Sequence, residues 1–78
     1  MSIKTKSQYE LFQEALARCT KTVWLVAPNG EQFDLKSARD SKKGMDLIRR
    51  DQSGQLEIFT SSYADEMVML DLFGRLAA

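Results

Sequence analysis

Residues 22–35 read TVWLVAPNGEQFDL, and the fold turns on this stretch. Thr22 to Ala27 is a β-branched and aromatic run that stops at Pro28-Asn29-Gly30, after which residues 31–35 resume with alternating apolar side chains. Branched and aromatic residues suit a pleated, half-buried surface, and Asn-Gly accepts the positive φ that tight hairpin turns require. An antiparallel hairpin is predicted, with Phe33 and Leu35 on one face of its second strand. The first strand is ambiguous, because Val23, Leu25 and Ala27 alternate with Trp24 and Val26 and both sets are apolar. One extra residue in the turn exchanges the two sets. Either Trp24 and Val26 form an apolar patch on the open side beside Gln32 and Asp34, or a bulge at Pro28 makes Trp24 part of the core.

Working outward, Ser7-Gln8-Tyr9-Glu10 reads as a capping box opening a helix from about Gln8 to Cys19. Phe12, Ala15, Leu16 and Cys19 follow the i, i+3, i+4, i+7 rule and form its apolar stripe. Ser37-Ala38-Arg39-Asp40 looks like a second helix start, with a capping serine and an acid in the first turn. Lys42, Lys43 and Gly44 interrupt its apolar stripe, so this helix is short or begins near Gly44 and carries Met45, Leu47 and Ile48. Asp51 to Gly54 turns the chain, and Leu56, Ile58 and Thr60 alternate in a third strand. Ser61 or Ser62 caps a last helix with Met69, Leu70, Phe73, Leu76 and Ala77 on one side. A short strand at Ser2 to Thr5 can precede the whole. Helices and antiparallel strands in this mixture define an α+β domain.

The chain has 78 residues, 44% hydrophobic and 28% charged, which is the composition of one compact globular domain. Eleven Lys plus Arg balance eleven Asp plus Glu, so no net field draws it to nucleic acid or an anionic membrane, and nucleic acid is not the expected partner. Basic residues concentrate only at Lys4 and Lys6 and at Lys42, Lys43, Arg49 and Arg50. A single cysteine, Cys19, forbids an internal disulfide and lies on the apolar stripe. No apolar run approaches the ~20 residues of a membrane span, and no secretory leader precedes the first helix. A cytoplasmic location is expected, without membrane association. Asp65, Glu66 and Asp71 show no metal-ligand spacing and read as surface of the last helix, so no metal and no cofactor are expected. The methionines Met45, Met67 and Met69 read as core and rim filler.

Several strings resemble the phosphocarrier HPr family of the sugar phosphotransferase system. LFQEA (Leu11 to Ala15) is similar to that family's first helix. NGEQFDLKS (Asn29 to Ser37) is similar to its hairpin turn, second hairpin strand and regulatory-serine junction, and QLEIFTSSYADE to its last strand and the start of its last helix. The similarity spans roughly Leu11 to the C-terminus. It implies an open-faced sandwich of order βαββαβα, the first strand short or missing, with three helices on one face of an antiparallel sheet of three or four strands.

The same resemblance implies a histidine at the start of the first helix that accepts and passes on a phosphoryl group beside an arginine. This chain has no histidine. A gapless match puts Lys4 in the histidine's place and Lys6 in the arginine's, both lost active-site positions, and the alternative is deletion of the active loop. A lysine protonated near neutral pH has no lone pair to offer phosphorus. Ser37 falls at the position of the family's kinase-regulated serine. A phosphate there would add about −1.5 to −2 charges, while the capping reading needs none, and Arg39, Asp40, Lys42 and Lys43 replace the family's apolar partner-facing segment. The expectation is a non-catalytic, HPr-like protein that works by contact with another protein, with Trp24, Val26, Arg39, Lys42 and Lys43 as candidate contacts and a homodimer through the open sheet face as one arrangement. The alternative is a small phage- or plasmid-encoded protein that modulates a host complex. An enzyme is disfavoured because no acid, base and nucleophile are assembled.

Overall fold

The computed structural model describes residues 3–77. Its elements follow the order α1 (Lys6–Arg18), β1 (Val23–Val26), β2 (Gln32–Asp34), α2 (Ser41–Arg50), β3 (Glu57–Thr60) and α3 (Tyr63–Ala77). The fold is α+β, with an antiparallel sheet of order β2-β1-β3. No strand precedes α1 among the described residues; Ile3 is buried without strand pairing, and Ser2 lies outside the described range.

The hairpin forms, but through a three-residue loop. The Gly30 N–H donates to the Ala27 carbonyl and the Ala27 N–H to the Glu31 carbonyl, both at 2.9 Å. Only Gly30 takes positive φ, +90°, whereas Asn29 does not. This geometry replaces the expected two-residue positive-φ turn with a type I turn closed by a glycine. It also settles the alternation: Val23 and Leu25 are fully buried, and Trp24 is exposed.

The cap of α1 lies two residues earlier than expected. Thr5, rather than Ser7, is the N-cap, because its Oγ1 accepts the Gln8 N–H at 3.1 Å while Gln8 Oε1 accepts the Thr5 N–H at 3.2 Å. Both threonine and serine have a partner three residues on, and the earlier pair encloses Lys6 and Ser7 in the helix. At α3 the Ser62 hydroxyl accepts the Asp65 N–H at 3.1 Å, as expected for a serine cap.

Ser37 does not cap α2. Its Oγ accepts the Arg39 N–H at 3.2 Å within a turn, and the helix starts at Ser41 with Asp40 as an N-cap that makes no side-chain bond. Gly44, read from sequence as an interruption, is buried at the contact between α2 and the sheet. A Cβ there would collide with Leu35 Cδ2 and stand 3.3 Å from Phe33 Cβ, so its missing side chain is what lets the helix lie on β2.

The core gathers Phe12, Ala15 and Cys19 from α1, Val23 and Leu25 from β1, Ile48 from α2, Leu56 ahead of β3, and Met69 and Leu72 from α3. The buried stripe of α3 therefore centres on Met69 and Leu72. Leu70 and Ala77, expected on it, are exposed. The helices cover one sheet face and leave the other open.

Candidate functional site

The start of α1 and the body of α2 meet at Tyr9. The ring of Tyr9 is half-buried, and the Arg49 guanidinium carbon stands 5.4 Å from its centroid, within the range of cation–π attraction. A recess opens on each side of this pair. One is lined by Ile3, Lys4, Lys6, Glu10 and Gln13 together with Tyr9 and Arg49. The other is lined by Lys42, Lys43, Met45 and Asp46 with the same tyrosine and arginine. Two basic concentrations some forty positions apart in the chain thus become one surface.

Its charge is unbalanced. The ion pairs among the described residues are Arg18 with Asp71 at 3.9 Å, Arg50 with Asp46 at 2.7 Å and Arg75 with Asp71 at 3.1 Å. Lys4, Lys6, Lys42, Lys43 and Arg49 take part in none of them. Of the two acids that line the recesses, Asp46 is already engaged by Arg50 across one helical turn, and Glu10 alone stands against these five cations. The surface therefore presents a net excess of cations to solvent beside the half-buried Met45. Arg39, on the turn before α2, lines neither recess.

Trp24 and Val26 lie on the open sheet face, apart from this surface. Trp24 stands directly opposite Phe59 on β3 and Asp34 on β2, at 37% exposure, with Phe59 at 52%. Val26 is flanked by Glu57 and Gln32. Both charged strand residues of this face are acids, opposite in sign to the Tyr9 surface.

Asp65 corrects the sequence reading. Expected as helix decoration, it is 2% exposed, and its carboxylate accepts the Thr20 N–H at 3.0 Å and the Lys21 N–H at 2.8 Å. These bonds, the Thr20 amide foremost, hold its pKa below the usual carboxylate range against the opposing effect of burial. Its partners are satisfied, so it is a structural tie between the end of α1 and the start of α3. Cys19 is buried and its thiol pKa is raised, first by burial and then by the Asp65 charge, which suits a core residue and not a nucleophile.

The sequence reading gives Tyr9 no role beyond the capping box and gives Asp65 the wrong one, surface instead of a buried tie. Tyr9 sits three residues before Phe12, at the border of the α1 stripe, which was a usable signal; Asp65 had none beyond its place three residues after Ser62. No group of three or more His, Cys, Asp or Glu positioned for a metal ion occurs among the described residues, and no helix among them is long and apolar enough to cross a membrane. Comparison with protein-family models, curated protein sequences and solved structures finds no match.

Proposed function

We propose that this chain is an HPr-like scaffold without phosphoryl transfer that acts in the cytoplasm by docking, through the cationic surface around Arg49 and Tyr9, onto a carboxylate-bearing surface of another protein. The observation that carries this reading is the convergence of Lys4 and Lys6 with Lys42 and Lys43 on the Arg49–Tyr9 pair, without neutralising ion pairs among the described residues. Exposed cations spaced over two recesses favour encounter with an acidic partner and fix its orientation. The HPr-like part rests on the quoted strings and on the order αββαβα, which is the family's order without its first strand. The loss of transfer rests on the absence of histidine.

Two measurements test the halves separately. Incubation with the general phosphotransferase enzyme and phosphoenolpyruvate is expected to leave the chain unlabelled, and phosphoprotein would overturn its inertness. Titration of the ¹⁵N-labelled chain with poly-glutamate is expected to shift Lys42, Lys43, Arg49 and Tyr9 amides and to weaken as salt rises. Equal shifts from poly-lysine, or none from poly-glutamate, would remove the docking surface. Ser37 is a regulatory candidate within this reading. Mass spectrometry after exposure to an HPr serine kinase decides it, an unmodified serine leaving only the turn.

A further inference from the structure

The sheet has two edges, and the chain closes only one of them. The Leu35 N–H donates to the Val23 carbonyl at 2.8 Å and the Ser61 N–H to the Thr22 carbonyl at 3.1 Å. Main-chain bonding groups alternate in direction along an antiparallel strand, so in this register Gln32 and Asp34 of β2 and Ile58 and Thr60 of β3 turn theirs away from β1. At the β2 edge the Asp34 carbonyl accepts the Ser37 N–H at 3.1 Å and its carboxylate accepts the Lys36 N–H at 3.0 Å. The turn after β2 thus takes up that edge. At the other edge nothing follows β3 in the order β2-β1-β3, and no strand precedes α1 among the described residues to supply a neighbour.

The β3 edge also lacks the residues that keep a strand from pairing, since Glu57–Thr60 holds neither Pro nor Lys. On its helix side runs a groove against α3, lined by Ile58, Met69, Leu70, Phe73 and Glu66. On its other side Phe59 and Glu57 stand on the open sheet face, in register with Trp24 and Val26. Glu57 and Glu66 are exposed and take part in none of the ion pairs among the described residues. Each side of the edge therefore combines apolar surface with an unneutralised carboxylate.

We infer that the β3 edge accepts a fourth strand from a basic partner: an extended peptide bonded through its main chain to Ile58 and Thr60, with apolar side chains in the α3 groove and lysine or arginine beside Glu57 and Glu66. Outward N–H and C=O groups on alternate residues match an extended backbone, which is how strand addition recognises a peptide. The two carboxylates select positive charge. A second copy is the poorer occupant, because pairing β3 with β3 about a two-fold axis gathers Glu57 and Glu66 of both copies along one edge, where like charges repel. This edge shares no residue with the Tyr9 recesses, which call for an acidic partner.

Titration of the ¹⁵N-labelled chain with an acetylated and amidated Arg-Val-Arg-Val-Arg-Val peptide tests this. At saturation the amides of Ile58 and Thr60 are expected to shift and to exchange with solvent about tenfold or more slowly, while those of Glu57 and Phe59, already directed at β1, keep their rates. Loss of that alternation overturns strand addition. The same peptide methylated on every backbone nitrogen is expected to bind about tenfold or more weakly, and equal affinity overturns main-chain pairing. A Glu-Val peptide of the same length is expected not to bind; affinity equal to that of the arginine peptide overturns the selection for charge. Glu57→Lys, at an exposed position, is expected to weaken the arginine peptide with the thermal transition retained, and undiminished binding overturns the placement of the basic side chains. Shifts at Ile58 and Thr60 that grow with protein concentration before peptide is added make the occupant a second copy and overturn the basic partner. None of these outcomes depends on the Tyr9 surface.

Discussion

The carboxylate of Asp65 accepts the backbone N–H of Lys21 at 2.8 Å, joining residues 44 positions apart. The neighbouring Thr20 N–H binds its other oxygen at 3.0 Å, so one buried side chain satisfies two amides just beyond the end of α1 while standing in the first turn of α3. Because folding lowers this carboxyl's pKa, chiefly through the Thr20 amide, the folded state gains stability above the unfolded value of about 3.9. That gain is lost as pH falls through the lower folded value. Asp51 is depressed as well, first by the Ser53 hydroxyl, so both carboxylates shape acid unfolding. Asp65→Asn is expected to lower the thermal midpoint at pH 7 and to flatten the pH dependence below pH 5, read by circular dichroism. An unchanged midpoint at pH 7 would show that the tie contributes nothing.

Two glycines in helices respond oppositely to alanine. Gly44→Ala drives a methyl group into Leu35, and overpacking of this kind costs about 1–3 kcal/mol. Gly74→Ala enters open space on an exposed helix face and is expected to stabilise by about 0.5–1 kcal/mol through reduced backbone entropy in the unfolded chain. Urea unfolding at low protein concentration compares them. A gain at Gly44 would mean that α2 does not rest on the sheet there.

The register of β1 is tested by adjacent residues. Leu25 is fully buried and Trp24 is not, so Leu25→Ala is expected to cost about 2–5 kcal/mol. Trp24→Ala removes a side chain that is already 37% exposed and is expected to cost less than Leu25→Ala. The reverse ranking would restore the bulged strand with Trp24 in the core.

Cys19 provides a chemical probe of the same core. Buried and with a raised thiol pKa, it is expected to react with a thiol reagent at pH 8 only as fast as the chain opens, and stoichiometrically at once in denaturant. Rapid labelling of the native chain would place the thiol at the surface.

The hairpin, the α1 stripe and the third strand were legible because they rest on short-range rules: alternation, helical spacing and turn residues act within a few positions. Caps were legible in kind but not always in place. Thr5 and Ser7 each stand three residues before a side chain able to complete the box, and local chemistry does not choose between them. Ser37 was read as a helix cap because its surroundings look like a helix start, yet Gly44 must reach the sheet, and the helix begins only at Ser41. Leu70 and Ala77 fall on the expected one-sided stripe of α3 yet are exposed, because that helix carries apolar residues on both sides.

From the sequence alone came the α+β class, the order of elements and the absence of imidazole chemistry. Those properties reside in composition and in patterns a few residues long. The side on which Trp24 lies, the burial of Asp65, the seating of Gly44 and the merging of Lys4 and Lys6 with Lys42 and Lys43 around Arg49 were decided by tertiary structure. Each depends on which distant segments share a surface, and that is set by packing the whole core at once rather than by any local preference.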